Sequence, residues 1–160
     1  MADTKVLYKT NANDSARYVL GKYQNNPLVF FGINPSTSTL NKQDTTISIV
    51  ENIAYKFGYD GYIMLNLCPI KATKIHDNLF KLYTEQAMAE NLECIKAVIR
   101  ENQNVVAAWG CHITDSRFFC KHLLKWIKLL LPQMLTGYAS PKQSRDIRIT
   151  QQGLLMHKWH

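Results

Sequence analysis

Two asparagines end apolar runs in this chain, and their side chains are the best placed to do chemistry. Asn34 closes VFFGIN and precedes Pro35, while Asn66 follows Ile63, Met64 and Leu65 in GYIMLNL. A carboxamide offers a donor and an acceptor side by side, so it can hold a water or read the edge of a ligand. For Asn34 the competing reading is an Asx turn that only ties down its own loop. For Asn66 the amide either bonds backbone within the core or faces a ligand, because leaving it unsatisfied in an apolar strand is costly. The residues alone leave those two readings level.

Around these two lie supporting groups. Gly32, Pro35 and the hydroxyls of Ser36, Thr37, Ser38 and Thr39 form a small polar segment, suited to a phosphate or simply to solvent. Trp109 and Gly110 end the run VVAAWG, where the Trp reads as core and the Gly as a close backbone approach. Tyr18, Phe31, Tyr62 and Tyr138 are the aromatics that could stack on a base, although most aromatics in such a chain are core.

The charge of the chain points to an anionic partner. Nineteen Lys and Arg against twelve Asp and Glu give +7 at pH 7, which favours nucleic acid or a nucleotide. Arg117, Lys121, Lys125 and Lys128 recur at offsets of four, four and three, a basic stripe opposite Phe118, Leu124, Ile127 and Leu131. Lys142, Arg145 and Arg148 make a second basic group. Charged helix faces are usually just solvated, but four cations without an intervening acid lean towards a phosphate backbone.

Several classes are disfavoured. There is no G-x-G-x-x-G and no P-loop, and the five His form no H-E-x-x-H, so no cofactor and no metal are expected. The four Cys form no C-x-x-C pair and read as buried free thiols. No apolar run is long enough for a bilayer and the start lacks an apolar leader core, which makes the cytoplasm the expected location.

The elements that must position these groups alternate along one domain spanning 1–160. PLVFFGI and GYIMLNL read as strands buried on both faces, and NVVAAWG as a third. Between the first two, Ile47, Val50, Ala54 and Phe57 recur at helical spacing, with Asp44 as N-cap and Gly58 as the stop. Further helices are expected across TEQAMAENLECIKAVIREN and DSRFFCKHLLKWIKLLL, an N-terminal helix at DSARYVLGKY, and a short fourth strand at QMLTG. This alternation implies an α/β/α three-layer sandwich around a mostly parallel four-stranded sheet. In such sheets ligands bind at the carboxyl ends of the strands, where GINPSTST, NLCPIKAT and WGCHITD would gather.

Two resemblances meet at the same residues. Through Arg17-Tyr18, NPST, DTTI, FGYDGYIMLNLCPIKAT, VVAAWG and LLMHKW, the chain resembles a bacterial family known as domain of unknown function 1643. GINPS, GYIMLN and VVAAWG are also similar, in order and approximate separation, to three motifs of the uracil-DNA glycosylase superfamily. That second resemblance implies the uracil-glycosylase form of the sandwich. It also implies that Asn34 orients an attacking water and Asn66 hydrogen-bonds an extruded base, with Phe31 and Tyr138 as base contacts. The superfamily's His-Pro-Ser-Pro-like loop is replaced by GYASPKQSRD, which has no His; Tyr138 or Gln143 falls near its place, and Lys142 could supply a donor. The cysteine pair of the iron–sulfur branch is missing. The expected function is hydrolysis of the N-glycosidic bond of a flipped base, with DNA first among partners. The alternative is a non-catalytic binder of nucleic acid or a nucleobase at the same site, and a third reading is an interaction module.

Overall fold

The computed structural model describes residues 3–36, 39, 44–71, 85–102 and 104–108. They form β1 (Lys5–Thr10), β2 (Arg17–Tyr23), β3 (Pro27–Gly32), α1 (Thr45–Lys56), β4 (Gly61–Asn66), α2 (Glu85–Glu101) and β5 (Val105–Ala107). The sheet has the order β1-β2-β4-β3-β5. β3 pairs parallel with β4 and β5, whereas β2 pairs antiparallel with both β1 and β4.

The sheet is therefore mixed and five-stranded, where a mostly parallel four-stranded one was expected. The difference arises at the N-terminus. DSARYVLGKY, expected as a helix, supplies β2, and KVLYKT ahead of it supplies β1. Its composition explains this: Tyr18, Val19 and Tyr23 favour a pleated surface, and Gly21 weakens a helix interior. Gly21 also fits the sheet closely, because a Cβ there would lie 3.0 Å from the Tyr62 carbonyl oxygen on β4. The expected helix DSRFFCKHLLKWIKLLL and strand QMLTG lie outside the described residues.

The two central strands were legible because both their faces are covered. α1 sets Ile47, Val50 and Ala54 against Leu20, Leu28, Phe30, Tyr62 and Met64. α2 sets Cys94, Ile95 and Ile99 against Val19, Val29, Phe31, Ile63 and Leu65. Alternate residues of β3 and β4 thus feed two clusters, each side chain stabilising the fold by roughly 1.5–3 kcal/mol when fully buried. Asp44 caps α1, its Oδ1 accepting from the Ile47 N–H at 2.9 Å. The helix ends at Lys56, so Phe57, expected on the buried face, is the C-cap and stands exposed. Gly58 follows at φ +82°, a left-handed residue that suits glycine. Cys68 and Cys94 are buried free thiols. Among the described residues no helix is long and apolar enough to cross a membrane.

Candidate functional site at the carboxyl rim

β3 and β4 run side by side in register, Gly32 opposite Asn66, and both end at the same rim. The chain beyond each end is pinned rather than loose. The Leu67 N–H donates to the Gly32 carbonyl at 3.0 Å and the Cys68 N–H to the Ile33 carbonyl at 2.7 Å. The Arg17 N–H donates to the Pro69 carbonyl at 2.7 Å, and the Lys71 N–H to the Ser15 carbonyl at 2.9 Å. The stretch Leu67–Lys71 therefore crosses the rim from the end of β3 to the start of β2.

Asn66 is 1% exposed, and neither its Oδ1 nor its Nδ2 has a hydrogen-bond partner among the described residues. Strand alternation puts it on the face of Tyr62 and Met64, the α1 side. Gly32 makes room for it: a Cβ at Gly32 would lie 2.8 Å from the Asn66 Oδ1 and 2.5 Å from the Met64 Cε. A buried amide costs stability unless something satisfies it, so one with no partner among the described residues is a candidate for holding a ligand.

The backbone of Asn66 is held from the other face. Asn91, fully buried on α2, donates through Nδ2 to the carbonyls of Asn66 at 3.0 Å and Leu67 at 3.3 Å. This positioning residue escaped the sequence reading. Its signal was a polar side chain in the buried stripe Ala87, Asn91, Cys94 and Ile95.

Asn34 is half-buried just past β3, and its Nδ2 donates to the Pro35 carbonyl at 3.2 Å. Pro35 is buried, while Ser36 and Asp44 are half-buried. The Asp44 carboxylate caps α1, the helix that follows β3 and the Asn34 segment in the chain. Phe31 is not brought to Asn66: it packs in the α2-side core, on the opposite face of the sheet. Of the other aromatics, Tyr62 is buried under α1, and the Tyr18 hydroxyl donates to Glu90 at 2.7 Å. Burial, with Glu90 beside it, pushes the Tyr18 phenol up to about 12. Thr37, Trp109, Gly110, Tyr138 and Lys142 lie outside the described residues, as do Arg117, Lys121, Lys125, Lys128, Arg145 and Arg148.

A second residue missed from the sequence is Arg17, at the start of β2. It is 1% exposed. Burial lowers the pKa of its guanidinium, and the fields of Tyr8, Asp44, Tyr62 and Asp14 oppose that shift. The Arg17 backbone N–H holds the Pro69 carbonyl, which sets the start of β2 at the carboxyl end of β4. Next to it, Lys71 Nζ pairs with Asp14 at 2.7 Å and donates to the Tyr8 hydroxyl at 3.2 Å. An Arg followed by Tyr-Val-Leu was the available signal, since a guanidinium is rarely buried unless it is paired.

These features define a mixed α/β protein with a polar rim of buried amides and a buried cation at the carboxyl ends of its central strands. The model of the family described as protein of unknown function, DUF1643, matches residues 17–146, and the chain belongs to that family. No curated protein and no solved structure matches it.

Proposed function

We propose that this rim binds a nucleobase and that the protein acts as a uracil-glycosylase-like hydrolase on the N-glycosidic bond of a base flipped from DNA. The observation that carries the reading is the Asn66 amide, buried at the rim with neither its donor nor its acceptor partnered among the described residues. A base edge that presents an acceptor beside a donor matches that pair atom for atom. The three-motif resemblance to the uracil-DNA glycosylase superfamily supports the same assignment, as does the register that sets Asn66 level with the end of β3.

In the reaction, the bond from the sugar C1′ to the base nitrogen breaks and its electron pair leaves with the base. A water held by the Asn34 side chain bonds to C1′ and gives one proton to solvent; the departing base takes a proton back on release. Positioning that water and steadying the leaving base matter more than a strong nucleophile. The base must first be extruded, which suits a chain of net charge +7.

The test uses end-labelled single- and double-stranded DNA bearing uracil, mismatches, or alkylated and hypermodified bases, followed by alkali. Wild type should leave alkali-labile sites at one class of base, while Asn34→Ala and Asn66→Ala should not. Replacing Arg117, Lys121 and Lys125 with Gln should weaken DNA binding and flatten its salt dependence. Binding that depends on Asn66 without cleavage makes the protein a nucleobase binder. An Asn66→Ala variant with unaltered binding and no activity anywhere removes the nucleobase reading.

A further inference from the structure

We propose that Gly32 is a positioning residue of this site: by carrying no side chain it lets the Asn66 amide lie against β3 and turns the amide oxygen to that strand. The inference rests on the nucleobase reading of the rim. It deepens that reading by fixing the order in which acceptor and donor face the base.

The backbone does not ask for glycine at this position. Gly32 is a strand residue paired with Asn66, and the glycines at positive φ among the described residues are Gly58 and Gly61. What a side chain would lack here is room. A Cβ at Gly32 would meet the Met64 Cε at 2.5 Å and the Asn66 Oδ1 at 2.8 Å, with the Asn66 Cγ next at 3.8 Å. The Asn66 Nδ2 lies farther off than these, so the oxygen is the amide atom turned to β3. The hydrogen that Gly32 carries in place of a Cβ points the same way and gives that oxygen a weakly attractive C–H to face. An amide turned end for end would set its NH2 against that hydrogen instead.

The backbone around the amide is fixed as well. Asn91 holds the Asn66 carbonyl from the α2 side, and the Leu67 N–H ties the next peptide to the Gly32 carbonyl at 3.0 Å. Oδ1 and Nδ2 themselves have no hydrogen-bond partner among the described residues. Asn34 follows β3, so a base ring lying toward Asn34 brings its ring nitrogen to Oδ1 and its exocyclic group to Nδ2. The acceptor needs an N–H opposite it, and the donor needs a carbonyl. An amide turned this way selects a lactam edge, a ring N–H beside C=O. An amidine edge, a bare ring nitrogen beside NH2, would set acceptor against acceptor and donor against donor.

Calorimetry at neutral pH with two pairs of free bases, uracil against cytosine and hypoxanthine against adenine, reads that order directly. Wild type should bind the lactam member of each pair at least about tenfold tighter, because the mismatched edge leaves buried polar groups unpaired. Gly32→Ala should fold, since the nearest atoms its methyl meets are the ends of two flexible side chains and not backbone. With the amide pushed from its seat, this variant should bind both members of each pair weakly and alike. Gly32→Ala/Met64→Ala removes the closer contact but keeps the conflict with Oδ1, so it too should lack the preference. It takes the place of Gly32→Ala if circular dichroism shows the single variant unfolded. A folded Gly32→Ala with the wild-type preference overturns the inference. So does a preference in the double variant, which would assign the effect to Met64. Wild type that binds both members of each pair alike overturns it too, while leaving the base site standing. If wild type binds no base at all, the site reading falls and takes this inference with it.

Discussion

The two ends of the central strands are built to opposite rules. At the amino end, a single carboxylate organises the turn between β2 and β3: Asp60 accepts from the N–H groups of Gln24, Asn25 and Asn26 at 3.1, 2.8 and 2.8 Å. The Asp60 N–H returns a bond to the Asn26 carbonyl at 3.1 Å, and Gly61 packs directly against the backbone of Lys22 and Tyr23. At the carboxyl end, the same strands finish in a buried amide that has no hydrogen-bond partner among the described residues. The amino end uses its carboxylate to hold the fold, and the carboxyl end keeps one buried amide without a partner among the described residues. Natural chains break the rule of satisfied burial chiefly where they bind something, so the asymmetry assigns stability to one rim and chemistry to the other.

The contrast is tested most severely at Gly61. A Cβ there would overlap the Lys22 carbonyl oxygen and the Tyr23 Cα, both of them backbone that cannot step aside. Gly61→Ala should destabilise by about 3–5 kcal/mol or prevent folding, read by urea unfolding. Next comes Asn91→Leu, which removes both hydrogen bonds to the carbonyls of Asn66 and Leu67. It should cost about 2 kcal/mol and also weaken base binding, because the backbone that aims Asn66 loses its anchor. A loss of stability without any change in binding would reduce Asn91 to a core residue.

What the sequence disclosed follows from the same contrast. β3, β4 and α1 announce themselves because continuous apolar runs and a 3–4 spacing reflect burial directly, and Asp44 and Gly58 mark the helix ends by local chemistry. β2 did not, because its fate depends on pairing with β4 at Leu20–Met64 and Gly21–Ile63, a contact more than forty residues away. Asn34 and Asn66 stood out as polar residues at the ends of apolar strands. Arg17 and Asn91 did not, since each reads locally as an ordinary polar residue of a strand or helix. Only the fold brings Arg17 against Pro69 at the rim and Asn91 under the end of β4. Phe31 illustrates the converse: one residue from Gly32 in sequence, it belongs to the other face through the pleat.

At Asn66 the expected effect on stability has the opposite sign. Asn66→Val replaces a buried amide that has no partner among the described residues with a β-branched apolar side chain that suits a strand. It should stabilise the protein by about 1 kcal/mol, seen as a raised urea midpoint, while abolishing base binding. Stability gained with function lost is the signature of a polar group retained for a ligand. A variant that is destabilised instead would mean that the amide is satisfied in the folded protein, and the difference between the two rims would vanish.

The smallest effect belongs to the satisfied rim and is read through pH. At Asp60 burial pushes the carboxyl pKa up, but the N–H groups of Asn25, Gln24 and Asn26 outweigh it, with Lys5 adding to them, and the net shift is downward from 3.8. A carboxyl whose folded pKa is depressed contributes stability that is complete above its unfolded value and disappears as pH falls through the folded one. Asp60→Asn should therefore lower stability by about 1 kcal/mol at pH 7, a modest amount because the group is partly open to solvent. The gap from wild type should hold down to about pH 5 and close below about pH 4, where the protonated carboxyl offers the turn little more than an amide does. Urea midpoints of both proteins between pH 7 and pH 3 measure it. A gap that persists in acid would mean that shape and not charge holds the turn. The amino end would then owe its order to the packing at Gly61, and the carboxylate would be incidental to it.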